Sequence, residues 1–128
     1  MRIVLINHEY PPLGGGAGNA AARIAAHFKQ FGEEPSVFTT RFRNQPDFEV
    51  LEGVDIHRIR SPRRFVDKSS VKEFALFSIM GMFPLLRLSA RVRPDAVVAF
   101  FSIPGGLLGL AAKRVYGIPY IVSLRGGD

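Results

Sequence analysis

The sequence contains no cysteine. That absence excludes disulfide frameworks, thiol catalysis and any thiolate metal site, and it suits a reducing cytosol. Histidine is nearly as sparse. His8, His27 and His57 are scattered without metal-ligand spacing, and no Ser/His/Asp order suggests a hydrolase, so neither a bound metal nor hydrolytic chemistry is expected. Long apolar runs are missing too. The run Ile3 to Ile6 is shorter than the roughly seven residues a secretory core needs. The most apolar stretch, Phe74 to Leu86, carries Gly81 and Pro84 and falls short of the roughly 20 residues that cross a bilayer. The expectation is a cytoplasmic protein with neither leader nor spanning helix. There is no repeat, low-complexity tract or linker. What is present is an ordinary globular mixture, 47% hydrophobic and 22% charged over 128 residues, which argues against disorder and fits one domain.

The charge is unevenly placed. Lys and Arg number 17 against 11 Asp and Glu, and the excess sits in one segment, Arg58 to Lys72. There Arg58, Arg60, Arg63, Arg64, Lys68 and Lys72 face Asp67 as the lone acid. Such a cluster suggests phosphate, a lipid headgroup or nucleic acid as partner. Nucleic acid is disfavoured, because few aromatics are interleaved and no recognition-helix or RNA-binding signature is present. An anionic membrane surface is the expectation. The six cations would meet headgroups and Phe74, Phe77 and Met82 would form the adjacent apolar face, making the protein peripheral to the inner face of a membrane. In the alternative, the same three side chains pack on the sheet and the cations are solvated.

Short β-branched runs alternate with longer segments of helical period. Strands are expected over Arg2–Asn7, Pro35–Thr40, Val54–Arg60, Asp95–Phe101 and Pro119–Leu124. Helices are expected over Ala17–Phe31, stopped by Gly32, over Ser69–Val92, kinked or broken at Pro84, and over Gly105–Tyr116, ended by Gly117. Continuous apolar strands are buried on both faces. The fold class is therefore α/β, a Rossmann-like doubly wound, mostly parallel sheet with helices on both faces. The chain stops at Arg125-Gly126-Gly127-Asp128 directly after a strand, which suggests the front part of something longer.

In such sheets ligands gather at the carboxyl ends of the strands, where strand order reverses. Four loops fall on that edge: His8 to Asn19, Thr39-Thr40-Arg41, Ser102 to Gly106, and Arg125 to Asp128. Glycine lets backbone N–H groups approach a ligand, and Gly14 to Gly18 opens into a helix whose N-terminus favours phosphate. A P-loop is excluded, because Asn19-Ala20 stands where the motif needs Lys-Ser/Thr. The pattern Gly16-Ala17-Gly18-Asn19-Ala20-Ala21 satisfies the loose G-x-G-x-x-A form. Six residues nevertheless separate the first strand from Gly14, and Thr39-Thr40 replaces the ribose-binding acid, so NAD is disfavoured.

The run M-R-I-V-L-I-N-H-E-Y-P-P-L-G-G-G-A-G-N, followed by P-S-V-F-T-T, P-D-A-V-V-A-F-F-S-I-P-G-G and G-I-P-Y-I-V-S-L-R-G-G-D, resembles a GT4-type (group 1) glycosyltransferase. The resemblance spans the chain in order and is weakest over Val54–Arg93. It implies a GT-B architecture of two Rossmann-like domains. Residues 1–128 would form part of the N-terminal, acceptor-side domain, with the donor-binding domain absent and the chain alone inactive. The implied reaction is retaining transfer of a sugar from a nucleotide-diphosphate donor to a carbohydrate or lipid-linked acceptor, without metal or other cofactor. Gly14, Gly15 and Gly16 would lie beside the donor phosphates. Arg125 stands where many relatives carry a histidine; it cannot act as a base, but it can bind phosphate bidentately. His8, Glu9, Asn19, Ser102, Gly126 and Asp128 complete the implied substrate and phosphate contacts. The alternative is a stand-alone nucleotide- or phosphate-binding Rossmann module without chemistry.

Overall fold

The computed structural model describes residues 1–11, 16–61 and 71–124. Along the chain these form β1 (Arg2–Ile6), α1 (Gly16–Gln30), β2 (Glu34–Thr40), β3 (Phe48–Leu51), β4 (Val54–Ile59), α2 (Val71–Val92), β5 (Ala96–Phe100), a wide turn (Phe101–Gly106), α3 (Leu107–Tyr116) and β6 (Tyr120–Ser123). The six strands order as β3-β4-β2-β1-β5-β6. All neighbours are parallel except β3, which pairs antiparallel with β4. The chain fills one side of β1 first, then crosses to β5 on the other. Strand order therefore reverses between β1 and β5.

Alternation along the strands divides the core in two. Val4 and Ile6 of β1, with Phe38 of β2 and Val97 of β5, pack against Phe77, Leu85 and Leu88 of α2 and Leu108 and Ala112 of α3. Ile3 and Leu5, with Val37, Ile56 and Phe100, meet Ala21 and Ala25 of α1 on the other face. Helices thus cover both faces, as a double-wound sheet requires. Each such aliphatic or aromatic side chain removed from water contributes about 1.5–3 kcal/mol. Gly117 (φ 70°) ends α3, its N–H donating to the Lys113 carbonyl at 2.8 Å.

Several expectations are corrected. β3 was not anticipated. It pairs with β4 across Glu52-Gly53, both at positive φ (52° and 80°), the geometry of a tight two-residue hairpin turn. Helix α1 stops at Gln30, which leaves Phe31 exposed rather than on the apolar face. Helix α2 runs on through Pro84 to Val92. Gly81 lets it approach the sheet so closely that an added Cβ would lie 3.2 Å from Ile59 and 3.3 Å from Phe38. That packing, with Leu85 and Leu88 beyond the proline, outweighs the backbone bond Pro84 cannot make. The 22-residue helix is also long and apolar enough to span a bilayer by length and composition, unlike the shorter stretch expected.

The basic segment does not behave as one surface. Arg58 lies in β4 and is buried; its guanidinium sits 2.6 Å from Glu49 Oε1 and donates to the Pro46 carbonyl at 3.3 Å. It is committed to the hairpin and is unavailable to headgroups. Phe77 is buried, Met82 is half-buried against the core and Phe74 is half-buried against His8, so the apolar face assigned to a membrane is turned inward. Arg60 and Lys72 are exposed. Arg63, Arg64 and Lys68 lie outside the described residues.

Candidate functional site at the strand reversal

The carboxyl ends of β1 and β5 meet through two side chains. His8, the second residue past β1, is 2% exposed. Its ring lies 5.1 Å from that of Phe101 past β5 and 4.7 Å from that of Phe74 at the start of α2. Among the described residues neither ring nitrogen has a hydrogen-bond partner, and Nε2 stands 3.6 Å from Glu9 Oε1. Phe101 holds φ 70°, a left-handed conformation that costs a bulky residue of order 1–3 kcal/mol. Strain and an unsatisfied buried imidazole therefore coincide at the topological switch point.

Asn7 fixes the entry to this edge. Its backbone N–H donates to Phe38 O at 3.1 Å, holding β1 to β2. Its side-chain amide donates to the Ala17 carbonyl at 3.2 Å, and its Oδ1 accepts the Glu9 N–H at 3.0 Å. One buried amide thereby sets both the start of α1 and the direction of the Glu9 segment. The first turn of α1 carries no acidic side chain. A helix start of this kind favours an anion. Tyr10 is buried beneath the loop, and burial holds its phenol above the usual range while Arg58 pulls weakly the other way. It remains a neutral core residue.

The expected site residues separate into three groups. His8 and Glu9 are brought together at the reversal. Gly16 and Asn19 are exposed in the first turn of α1, and an added Cβ at Gly16 would meet nothing within 4 Å. Ser102 is exposed at the wide turn. Gly14, Gly15, Arg125, Gly126 and Asp128 lie outside the described residues. The glycines following Ser102 have a packing role that was not expected. An added Cβ at Gly105 would collide with the Phe100 carbonyl oxygen, and one at Gly106 would lie 3.3 Å from Val122. They allow the turn to close on its own backbone and on β6. Thr40 likewise ties the sheet, its hydroxyl 2.9 Å from Ser61 Oγ, and Arg41 lies 3.5 Å from Asp47. Asn7 and Phe101 were not anticipated. An amide immediately after a fully apolar strand was the available signal for the first; the positive φ of Phe101 has none in the sequence.

A family model described as a glycosyl transferase 4-like domain matches residues 15–128. The chain belongs to this family. Among solved structures, sucrose-phosphate synthase from Thermosynechococcus elongatus matches with a TM-score of 0.78 at 15% identity, over 94% of this chain and 32% of that one. MurG from Acinetobacter baumannii matches at 0.58 and 21%, over 96% of this chain and 34% of that one. A UGT transferase from Siraitia grosvenorii, solved with UDP, matches at 0.55 and 16%, over 96% and 23%. No curated protein matches by sequence. The neighbours are GT-B glycosyltransferases, and this glycosyl transferase 4-like domain spans about a third or less of each. The expected fold class and family are thereby shown, and a bare nucleotide-binding module is disfavoured.

Proposed function

We propose that this domain is the acceptor-side half of an enzyme that transfers a sugar from a nucleotide-diphosphate donor to a carbohydrate or lipid-linked acceptor. The transfer retains anomeric configuration and needs no metal or other cofactor. The observation that carries this reading is the edge between β1 and β5, where Asn7 ties the start of α1, whose first turn carries no acidic side chain, to the Glu9 backbone N–H. A departing diphosphate needs its charge neutralised as the anomeric bond breaks. Backbone N–H groups of the Gly14-Gly15-Gly16 loop and α1, with the permanently cationic Arg125, supply that without a metal. Glu9 accepts a hydrogen bond from the acceptor hydroxyl. His8 is buried too deeply to touch substrate, and Asn7 orients the Glu9 segment. Such an enzyme works in the cytoplasm, at the inner face of a membrane when its acceptor is lipid-linked.

The test is transfer by the complete gene product with a panel of radiolabelled nucleotide-diphosphate hexoses, mixed acceptors and excess chelator. A labelled glycoside with the donor's anomeric configuration supports the reading. Inversion, donor hydrolysis alone, or abolition by chelator overturns it. Gly15→Val should cut turnover sharply with little change in melting temperature, because a branched side chain blocks approach to phosphate.

A further inference from the structure

Helix α2 is apolar on both faces, and among the described residues only one of them is covered. Phe77, Leu85 and Leu88 enter the core. On the opposite side Val71 is 80% exposed, Ile79 and Phe83 are each 72% exposed, and Met80 is 44% exposed. The remaining outward positions are Ala75, Ala90 and three cations, Lys72, Arg87 and Arg91. The helix's one acid, Glu73, is buried, as are its two serines, Ser78 and Ser89. The outward face therefore holds only apolar and positive side chains. Positions 79, 83, 87 and 91 form a single i,i+4 row, so the apolar and cationic parts are contiguous. Arg87 and Arg91 make no ion pair among the described residues. Together with His57 they line a groove of about 390 Å³ beside Phe83. The acid of that groove, Asp47, already faces Arg41 and Arg60.

We infer that the outward face of α2 docks on an anionic lipid surface, with Ile79, Met80 and Phe83 in the acyl boundary and Lys72, Arg87 and Arg91 on headgroup phosphates. A helix apolar all round needs cover on both sides. A second copy of the same face would bury three cations per protomer with no acid opposite them. An anionic leaflet supplies both the apolar layer and the counter-charge. The helix lies on the bilayer and does not cross it, because its inner face is held by the sheet. Its start, at Phe74 against His8, is at the edge where the acceptor binds, so docking brings a lipid-linked acceptor to the site. This last step rests on the transfer reading; the docking does not.

The experiment is co-sedimentation of the complete gene product with vesicles of phosphatidylcholine, with and without phosphatidylglycerol, at low and high salt. Binding is expected only with phosphatidylglycerol and should weaken with salt. Ile79→Asp with Phe83→Asp should lower partitioning about tenfold or more, and each of Arg87→Gln and Arg91→Gln about fivefold, without altering the thermal melt. The arginine variants alter no apolar contact, so they decide the matter should the aspartates perturb folding. Protein remaining in the supernatant with anionic vesicles at low salt overturns the proposal, as does unchanged binding by the arginine variants. A dimer in lipid-free buffer that Phe83→Asp dissociates assigns the face to a second copy and overturns it equally. Sugar transfer to a soluble acceptor is measured separately, so failure of docking leaves the transfer reading standing, and the reverse.

Discussion

The two halves of the sheet on either side of the reversal are held together by different means. On the β2-β4-β3 side the ties are polar. Asn7 fastens β1 to α1, Thr40 reaches Ser61, and Arg58 is clamped between Glu49 and the Pro46 carbonyl. On the β5-β6 side, beyond the Arg2–Asp95 link at its root, the ties are mainly steric. Gly105 folds onto Phe100, Gly106 onto Val122, and Gly109 faces Tyr120, where an added Cβ would stand 2.8 Å from the ring. Hydrogen bonds can be lost one at a time, each at modest cost, whereas close backbone approach fails abruptly. The reversal thus sits between an adjustable half and an unyielding one, and the strained Phe101 belongs to the latter.

The sharpest way to break this contrast is Gly105→Ala. The new methyl would strike a backbone carbonyl that no rotamer change can move, so the loss should be about 3 kcal/mol, lowering the melting temperature by about 10 °C or more. Retention of the wild-type melt would show that the turn yields and that the two halves do not differ as argued. On the polar side, Glu49→Ala leaves the buried Arg58 with only the Pro46 carbonyl among the described residues. Because Glu49 is partly exposed and water can reach the gap, the expected loss is about 2 kcal/mol, below that of a fully buried pair. Denaturant unfolding checks it, and Glu49→Gln should recover part of the stability through its amide oxygen.

Gly16→Ala should do almost nothing to stability, with a gain within about 0.5 kcal/mol, since its added Cβ meets empty space and alanine suits a helix. Paired with Gly105→Ala in one calorimetric comparison, it shows that two glycine clusters of similar appearance do opposite work. That distinction could not be read from composition. The doubly wound class and the parallel strands were legible, because continuous β-branched runs alternating with helical periods admit few other solutions. β3 was not, because Glu52-Gly53 is a weaker turn signal than Asn-Gly and Phe48 to Leu51 is largely exposed. Arg58 was half legible. Its alternation with Val54 and Ile56 places it on their inward side, but counting it within a basic run hid that. The covered side of α2 was only partly legible: Lys72, Arg87 and Arg91 mark its outward side, but Ile79, Met80 and Phe83 beside them blur the contrast with the buried Phe77, Leu85 and Leu88.

The smallest effect sharpens the polar half through pH. His57 of β4 lies with its ring 4.9 Å from Phe48, and burial, reinforced by the positive charge of Arg91, holds its pKa below the ordinary value, with Asp55 opposing weakly. The native state therefore binds its proton less readily than the unfolded chain. Below an ordinary histidine pKa of about 6.5 the unfolded chain takes up that proton first, so stability falls as pH drops from about 6.5 towards the depressed native value. Above that range the contribution is complete. The melting temperature should accordingly decline between neutral and mildly acidic pH, and His57→Gln should flatten that slope while leaving the neutral melt nearly unchanged. Arg91→Gln removes the second cause of the depression and should make the decline shallower without abolishing it, because burial remains. An Arg91→Gln profile identical to wild type would show that the β4–α2 groove is electrostatically uncoupled. Protonation of His57 would then be opposed by desolvation alone.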